Sequence, residues 1–183
     1  MLSLQIDDAR IADLEPWHAE QLAGLFRTHG ADFYDWLPWE GFEQADAARG
    51  FLEGFATSRA ETGRRIYGIW IGDELVGATL FPSFNARSAT AEVGVLIASV
   101  ARGRGIVTRA VAAMLDWAFA ERGVHRVEWK CAPGNEPSRR MAQRLGFTHE
   151  GTLREAFQVR DVRQDLEVWS LLSREWQGLP VRG

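Results

Sequence analysis

A chain of 183 residues is long enough to bury a substantial core, and its length fits one domain. Hydrophobic residues make up 46% and charged residues 25%, a composition that is typical of globular proteins. The formal net charge of −4 provides no general positive field, so we expect no nucleic-acid partner.

The sequence also argues against disulfides, a zinc site, a membrane span and a signal peptide. The single cysteine, Cys131, cannot form an internal disulfide, and cysteine and histidine nowhere have the spacing of a zinc site. No apolar run approaches the roughly 20 residues that span a bilayer. The N-terminal segment lacks the basic and apolar regions of a signal peptide. We therefore expect a cytoplasmic protein with no metal and no membrane partner.

The first half of the chain predicts two helices and a hairpin. The segment 14–30 carries a proline suited to a first helical turn and a glycine suited to a helix end. At helical spacing, Trp17, Leu22, Leu25 and Phe26 would share one face. The elements that follow are a second helix at 42–63, a hairpin at 65–81 and a strand at 90–98.

The second half predicts a long amphipathic helix at 106–123, whose apolar positions recur at helical spacing. These positions are Val107, Val111, Met114, Leu115 and Ala118. The elements after it are a strand at 125–132, a short helix at 137–146 and strands at 147–155 and 164–172. This order predicts a mixed sheet of the α+β class, in which the strands before and after the long helix are parallel.

A glycine-rich turn, VARGRGIVTRAV at 100–111, joins the strand at 90–98 to that helix. A helix N-terminus offers unpaired N–H groups and a partial positive charge, and Gly103 and Gly105 would let a ligand approach the backbone. Nearby Arg102, Arg104 and Arg109 add positive charge, so the turn suits a phosphate group. The alternative is a loop that needs two glycines only to turn.

Two better-known phosphate motifs do not fit this turn. A P-loop requires Gly-Lys-Ser/Thr after the second glycine, whereas Ile106 and Val107 follow Gly105. A dinucleotide fingerprint requires a third glycine or an alanine where this chain has Thr108.

A second motif follows one helix and one strand later. Asn135 and Ser138 form an N-x-x-S pattern, and the helix that begins there ends in Leu-Gly-Phe. Together with AEVGVLIA, GRGIVTRAV, LGFTHEGTLRE and the early DWLPW, this pattern resembles the GNAT family of acyl-CoA-dependent N-acyltransferases, in its RimJ/RimL branch. The family's Q/R-x-x-G-x-G/A loop falls on residues 100–105 and departs from the pattern at Val100.

The resemblance implies one GNAT domain over residues 1–183, with a mostly antiparallel sheet of about seven strands and a splayed parallel pair at the acyl-CoA site. It implies acetyl transfer from acetyl-CoA to a primary amine by direct attack within a ternary complex, without an acyl-enzyme. The acceptor would be a protein N-terminus, such as that of a ribosomal protein, or a small amine, and the protein would form a homodimer.

The resemblance also implies which residues bind the acyl-CoA. The backbone of the strand before the glycine turn would bind the pantetheine arm and the thioester oxygen, while the turn would bind the pyrophosphate. The resulting set is Val95, Leu96, Ile97, Arg102, Gly103, Arg104, Gly105, Ile106, Val107, Thr108, Asn135 and Ser138.

Catalysis needs a base for the amine and a proton for the leaving thiolate. Many GNAT enzymes use a tyrosine acid late in the chain, but Tyr34 and Tyr67 both precede the glycine turn, and the RimL branch suggests Ser138 instead. Ser138 could equally cap its helix, and Asn135 could be a turn residue. Strand alternation directs Glu92 away from Val93, either toward the cleft as the base or toward solvent with an arginine partner.

The acceptor is expected to contact the aromatic and acidic segment YDWLPWE. Its candidate residues are Tyr34, Trp36, Trp39 and Glu40, with a core position as the alternative for Trp36. Two other functions remain open from the sequence. One is transfer from another acyl-CoA such as succinyl-CoA, which basic residues around the acyl group would favour, and the other is a non-catalytic CoA-binding module.

Overall fold

A computed structural model describes residues 3–61 and 63–179. Eight strands form one sheet in the order β1-β2-β3-β4-β5-β6-β8-β7. Neighbouring strands are antiparallel except for β5 and β6, which are parallel. The strands are β1 Leu4–Ile6, β2 Ala9–Asp13, β3 Arg65–Ile71, β4 Glu74–Asn85, β5 Thr90–Ile97, β6 Arg126–Cys131, β7 Thr148–Val159 and β8 Val162–Leu172.

Four helices flank this sheet: α1 Ala19–His29, α2 Ala45–Glu61, α3 Ile106–Asp116 and α4 Glu136–Arg144. Helix α3 continues into a π-helical turn at Trp117–Glu121. Each predicted helix is confirmed, although Thr62, within the predicted segment 42–63, lies outside the described residues. The predicted α+β class and the parallel pair around α3 are confirmed as well.

One predicted detail is wrong, and one hairpin is absent from the prediction. Trp17 is 72% exposed and does not share the buried face of α1. The reason is that Pro16–His18 forms a separate 3-10 turn before the helix begins. The hairpin of β1 and β2 was not predicted, since strands of three and five residues are too short to display an alternating pattern.

Hydrophobic side chains cover both faces of the sheet. One cluster packs α3 and α4 against one face, and the other packs α1 and α2 against the opposite face. The predicted apolar positions of α3 all lie in the first cluster. Strand β5 contributes alternately to both, with Val93 in the first and Leu96 in the second, so the β5–β6 pair lies between the two layers.

Candidate active site

The glycine turn joins the end of β5 to α3. A 3-10 turn at Ser99–Ala101 leads into it, and Gly103 and Gly105 have φ angles of 78° and 71°. These left-handed angles favour glycine, and Gly105 is the N-cap of α3. A Cβ built on either glycine would have no atom within 4 Å, so the space above both is open. A ligand could therefore approach this backbone closely.

The start of helix α3 leaves the amides that follow the turn without helical partners. The first helical hydrogen bond runs from the amide of Arg109 to the carbonyl of Gly105, at 3.1 Å. The amides of Ile106, Val107 and Thr108 precede it and have no carbonyl partner within the helix. With the helix dipole, they form a site suited to an anion.

Each arginine near the turn has an aspartate partner. Arg102 Nη2 lies 3.4 Å from Asp32 Oδ1, and the other carboxylate oxygen of Asp32 accepts a hydrogen bond from the amide of Ser99 at 2.8 Å. Arg104 pairs with Asp8, and Arg109 pairs with Asp7. The positive charge predicted for the turn is therefore balanced, because both β1–β2 turn aspartates lie beside it.

The parallel strands β5 and β6 separate just after they meet. Their pairing runs from Thr90 with Arg126 to Val93 with Trp129 and then stops. Beyond that point β5 continues through Ile97 on its other neighbour, β4. The edge of the segment Val95–Ile97 that faces β6 is thus without a strand partner, which is the predicted location of an extended ligand arm.

Asn135 and Ser138 lie at the start of α4, directly after β6. Asn135 is the N-cap, and its Oδ1 accepts a hydrogen bond from the Ser138 amide at 3.2 Å. The indole Nε1 of Trp129 donates to Ser138 Oγ at 2.9 Å. Since an indole N–H can only donate, the serine oxygen accepts this bond and its own proton remains available for another acceptor.

The only cysteine lies beside that serine. Burial raises the pKa of the Cys131 thiol to about 11, although a hydrogen bond from Ser138 acts in the opposite direction. A thiol with this pKa is protonated at neutral pH and is a poor nucleophile. The Cys131 side chain is buried, with 6% exposure.

A buried carboxylate holds the next residue of α4. Glu167 Oε2 accepts hydrogen bonds from Arg139 Nε at 3.0 Å and from Trp169 Nε1 at 2.9 Å. This anchor and the Trp129 bond were both missed by the sequence analysis. Alternation along 125–132 does direct Trp129 and Cys131 to the same face, which was the available signal for Trp129.

Glu92 lies on the opposite face of the sheet from Trp129. Its Oε2 is 2.8 Å from Lys130 Nζ, which also lies 3.1 Å from Glu128 Oε2. Burial lowers the pKa of Lys130, but its bonds to the two carboxylates outweigh that effect and the pKa is raised. The partner of Glu92 is therefore a lysine on the neighbouring strand rather than an arginine.

The predicted acceptor segment is divided by the fold. Tyr34 and Trp36 line an open cavity of about 320 Å³ whose other wall is the hairpin of β7 and β8, formed by Val159, Arg160, Val162 and Gln164. A Cβ on Gly134 would lie 3.6 Å from the Trp36 ring, so this ring reaches the loop that precedes Asn135. Trp36 thus lies between this cavity and the loop that leads to α4.

The other two residues of that segment do not line the cavity. Glu40 forms an ion pair with Arg160 at 3.0 Å, and Arg160 is one of the residues that line the cavity. Trp39 packs against an aromatic cluster, with ring centroids 5.5 Å from Phe42 and 5.0 Å from Phe51. The structure brings Tyr34 and Trp36 together and places Trp39 in the hydrophobic layer under α2.

An anion site at a helix N-terminus, next to a splayed parallel pair, is the arrangement that the resemblance to CoA-dependent acyltransferases predicts. Residues 11–148 match the family model described as "Acetyltransferase (GNAT) domain". The chain is 33% identical to YdaF of Bacillus subtilis (strain 168), described as a candidate ribosomal N-acetyltransferase, over 90% of this chain and 91% of that protein.

The chain is also similar to a second relative in sequence and to a solved structure in fold. The chain is 28% identical to the ribosomal-protein-serine acetyltransferase of Escherichia coli (strain K12), over 73% of this chain and 75% of that protein. A structure of RimL, a ribosomal L7/L12 α-N-protein acetyltransferase in complex with CoA, has a TM-score of 0.85 at 20% identity and covers 93% of this chain and 98% of its own. The protein belongs to the GNAT family and is an N-acetyltransferase of that family.

Two absences hold within the described part of the chain. No group of three or more histidine, cysteine, aspartate or glutamate side chains in residues 3–61 and 63–179 could hold a metal ion. None of the helices in those ranges is both long and apolar enough to cross a membrane.

Proposed function

We propose that the protein transfers the acetyl group of acetyl-CoA to a primary amine by direct attack in a ternary complex. The proposal rests on the relative positions of the anion site and Ser138. The open anion site at Gly103 and Gly105 and the hydroxyl of Ser138 lie at the ends of the two strands that separate after Val93 and Trp129. A ligand with phosphates at one end and a thioester at the other fits this layout.

The residues present fit acyl-CoA. The amides of Gly103 to Thr108 would hold its pyrophosphate, because the space above the two glycines is open. The unpartnered edge of Val95–Ile97 would pair with its pantetheine arm and offer an N–H to the thioester oxygen. When bound, acetyl-CoA supplies the acetyl group and a thiolate leaving group.

Ser138 would supply the proton that the leaving thiolate needs. The indole of Trp129 occupies a lone pair of Ser138 Oγ, so the serine proton is left for one other acceptor, which is either the Cys131 sulfur or the leaving thiolate. Donation from the indole also makes the serine hydroxyl a better donor, since hydrogen bonds in a chain strengthen one another. Asn135 would act by fixing the backbone of Ser138 through the helix cap.

Glu92 is the proposed base, on the side of the sheet opposite Ser138. A protonated amine that approached Glu92 would share it with the ammonium group of Lys130, which lies at 2.8 Å. Glu92 could then accept the amine proton directly or through water while Lys130 stayed bound to Glu128.

The proposed acceptor is a primary amine presented in the cavity between Tyr34, Trp36 and the β7–β8 hairpin. The cavity is lined by two aromatic rings and by Asp35, and such walls suit a cationic amine. The names of the two relatives refer to ribosomal protein acetylation, and this favours a protein N-terminus as the first acceptor to test.

A succinyl donor would require an uncompensated positive charge near the acyl group. Lys130, the residue on β6 that follows the last paired position, is neutralised by Glu92 and Glu128. This arrangement favours the uncharged acetyl group.

The proposed function is tested by measuring CoA thiol release from acetyl-CoA with a panel of N-terminal peptides, polyamines and amino acids. Mass spectrometry of the acceptor should show one added acetyl group on its amine. Ser138→Ala should abolish most of this release, while the control Ser88→Ala, at an exposed position of the turn between β4 and β5, should leave it unchanged. Acceptor-independent release, or none with any amine, would contradict the proposal.

A further inference from the structure

The turn between β1 and β2 lies against the glycine turn and carries two adjacent aspartates. Their carboxylates form ion pairs with Arg104 and Arg109. Ile6, just before the aspartates, is buried in the same hydrophobic cluster as Ile106, which anchors the turn to the start of α3. The position of the two carboxylates is thus set by the fold.

Arg109 is one of the three arginines that give the glycine turn its positive charge. Its guanidinium Nη2 lies 3.5 Å from the carbonyl oxygen of Arg104, so this side chain folds back over the glycine turn. Arg104 lies between the two glycines of the turn. The Arg109 guanidinium therefore lies beside the backbone of the proposed phosphate site, and the Arg104 side chain extends from the middle of that site to Asp8.

Asp7 and Asp8 are more exposed than Asp32, the third aspartate that pairs with an arginine near the glycine turn. Asp32 accepts a hydrogen bond from the amide of Ser99 in addition to pairing with Arg102, and its side chain is 20% exposed. Asp7 and Asp8 are 63% and 55% exposed. Within the described residues, the hydrogen bonds of their carboxylates go to the two arginines.

A carboxylate and a phosphate use the same face of a guanidinium, since both accept two parallel N–H bonds. We propose that Arg104 and Arg109 bind phosphate groups of acyl-CoA, and that Asp7 and Asp8 compete with those phosphates for the two guanidinium groups. Acyl-CoA binding then opens both ion pairs, and the β1–β2 turn limits the affinity of the site. This inference rests on the proposed function.

The magnitude follows from the exposure of the pairs. An exposed ion pair contributes little, so opening one should cost at most a factor of about five in affinity. Asp7→Asn or Asp8→Asn should each raise CoA affinity roughly two- to fivefold, and the double variant roughly tenfold. The gain should shrink in about 1 M salt, where exposed charges interact over only about 3 Å.

The substitutions are conservative for the fold. Asp7 has a φ of 54°, in the left-handed region that asparagine adopts as readily as aspartate. A control with the same change of charge is Glu53→Gln with Asp73→Asn, at exposed positions on α2 and in the β3–β4 turn. Its CoA affinity should equal that of the unsubstituted protein.

The test is a calorimetric titration of each full-length variant with CoA at low and at high salt. Arg104→Gln with Arg109→Gln should weaken binding, and adding Asp7→Asn and Asp8→Asn to that variant should give no gain. Unchanged or weaker binding by the aspartate double variant would overturn the inference, as would a gain that survives loss of both arginines. Absence of CoA binding by every variant, including the unsubstituted protein, would overturn the proposed function as well.

Discussion

Gly105 has two proposed roles at the start of α3: it adopts a left-handed φ, and it lets a phosphate approach the backbone. The variant Gly105→Ala distinguishes these roles. Its φ of 71° costs a non-glycine residue about 1–2 kcal/mol, of which about 0.4–1 kcal/mol is recovered because alanine restricts the unfolded chain. A new Cβ meets no atom within 4 Å, so no steric cost is added. The free energy of unfolding should fall by about 1 kcal/mol, which lowers Tm by roughly 2–4 °C.

Gly105→Ala should also weaken acyl-CoA binding, by an effect that is separate from the loss of folding stability. A methyl group over the amides of α3 would hold a phosphate away from one of its charged hydrogen bonds, each worth about 1.5–3 kcal/mol. The expected loss is therefore roughly 10- to 100-fold in Kd.

Gly123→Ala is the matched control. Gly123 has a φ of 64°, follows the π-helical turn after α3, and likewise has no atom within 4 Å of a Cβ. Thermal unfolding should show the same small loss of stability in both variants, and titration with acetyl-CoA should show weaker binding only for Gly105→Ala. Equal affinities in the two variants would refute the reasoning that the glycine turn receives the phosphates.

The remaining predictions concern catalysis, thiol reactivity and acid stability. Ser138→Ala should lower kcat at least 100-fold with little change in acetyl-CoA affinity, because a positioned proton donor contributes roughly 10²–10⁴-fold. Trp129→Phe should lower kcat about tenfold on the scale of one lost hydrogen bond, and it should have no further effect in the Ser138→Ala variant; additive losses would remove the indole from this role. Cys131, with a pKa raised to about 11 by burial, should resist alkylation at about pH 8 in the folded protein and react after unfolding, as measured by intact mass. A hydrogen bond from Arg126 lowers the pKa of Glu150 from 4.5 to about 2, so this carboxylate stabilises the fold above about pH 4.5 and loses that effect as the pH falls toward 2. Urea unfolding should therefore show Glu150→Gln less stable than the unsubstituted protein at pH 7 and equal to it near pH 2; a difference that persists at acid pH would contradict the ion-pair account.

The features that sequence predicted well are those encoded over short distances. The glycine turn is recognisable because a left-handed backbone at Gly103 and Gly105 requires that residue type locally. Helix α3 was predicted because its apolar positions recur every three or four residues. The N-cap of α4 at Asn135 lies within four residues of Ser138 and is visible in the sequence as well.

The features that sequence missed depend on distant pairs. Arg104 and Asp8 are 96 residues apart, and Glu92 and Lys130 are 38 apart, so no local pattern indicates that they meet. Trp39 was assigned to the acceptor site from its loop-like setting, but tertiary packing draws it into the aromatic cluster. The homodimer and the cytoplasmic location stay predictions.

Calorimetric titration of the unsubstituted protein with acetyl-CoA tests the central claim most directly. The arrangement of the glycine turn, the separated strands and Ser138 predicts one site per chain with a micromolar Kd, and weaker binding of succinyl-CoA. No binding of acetyl-CoA, succinyl-CoA or free CoA would contradict the claim, because the glycines would then serve only to turn the chain.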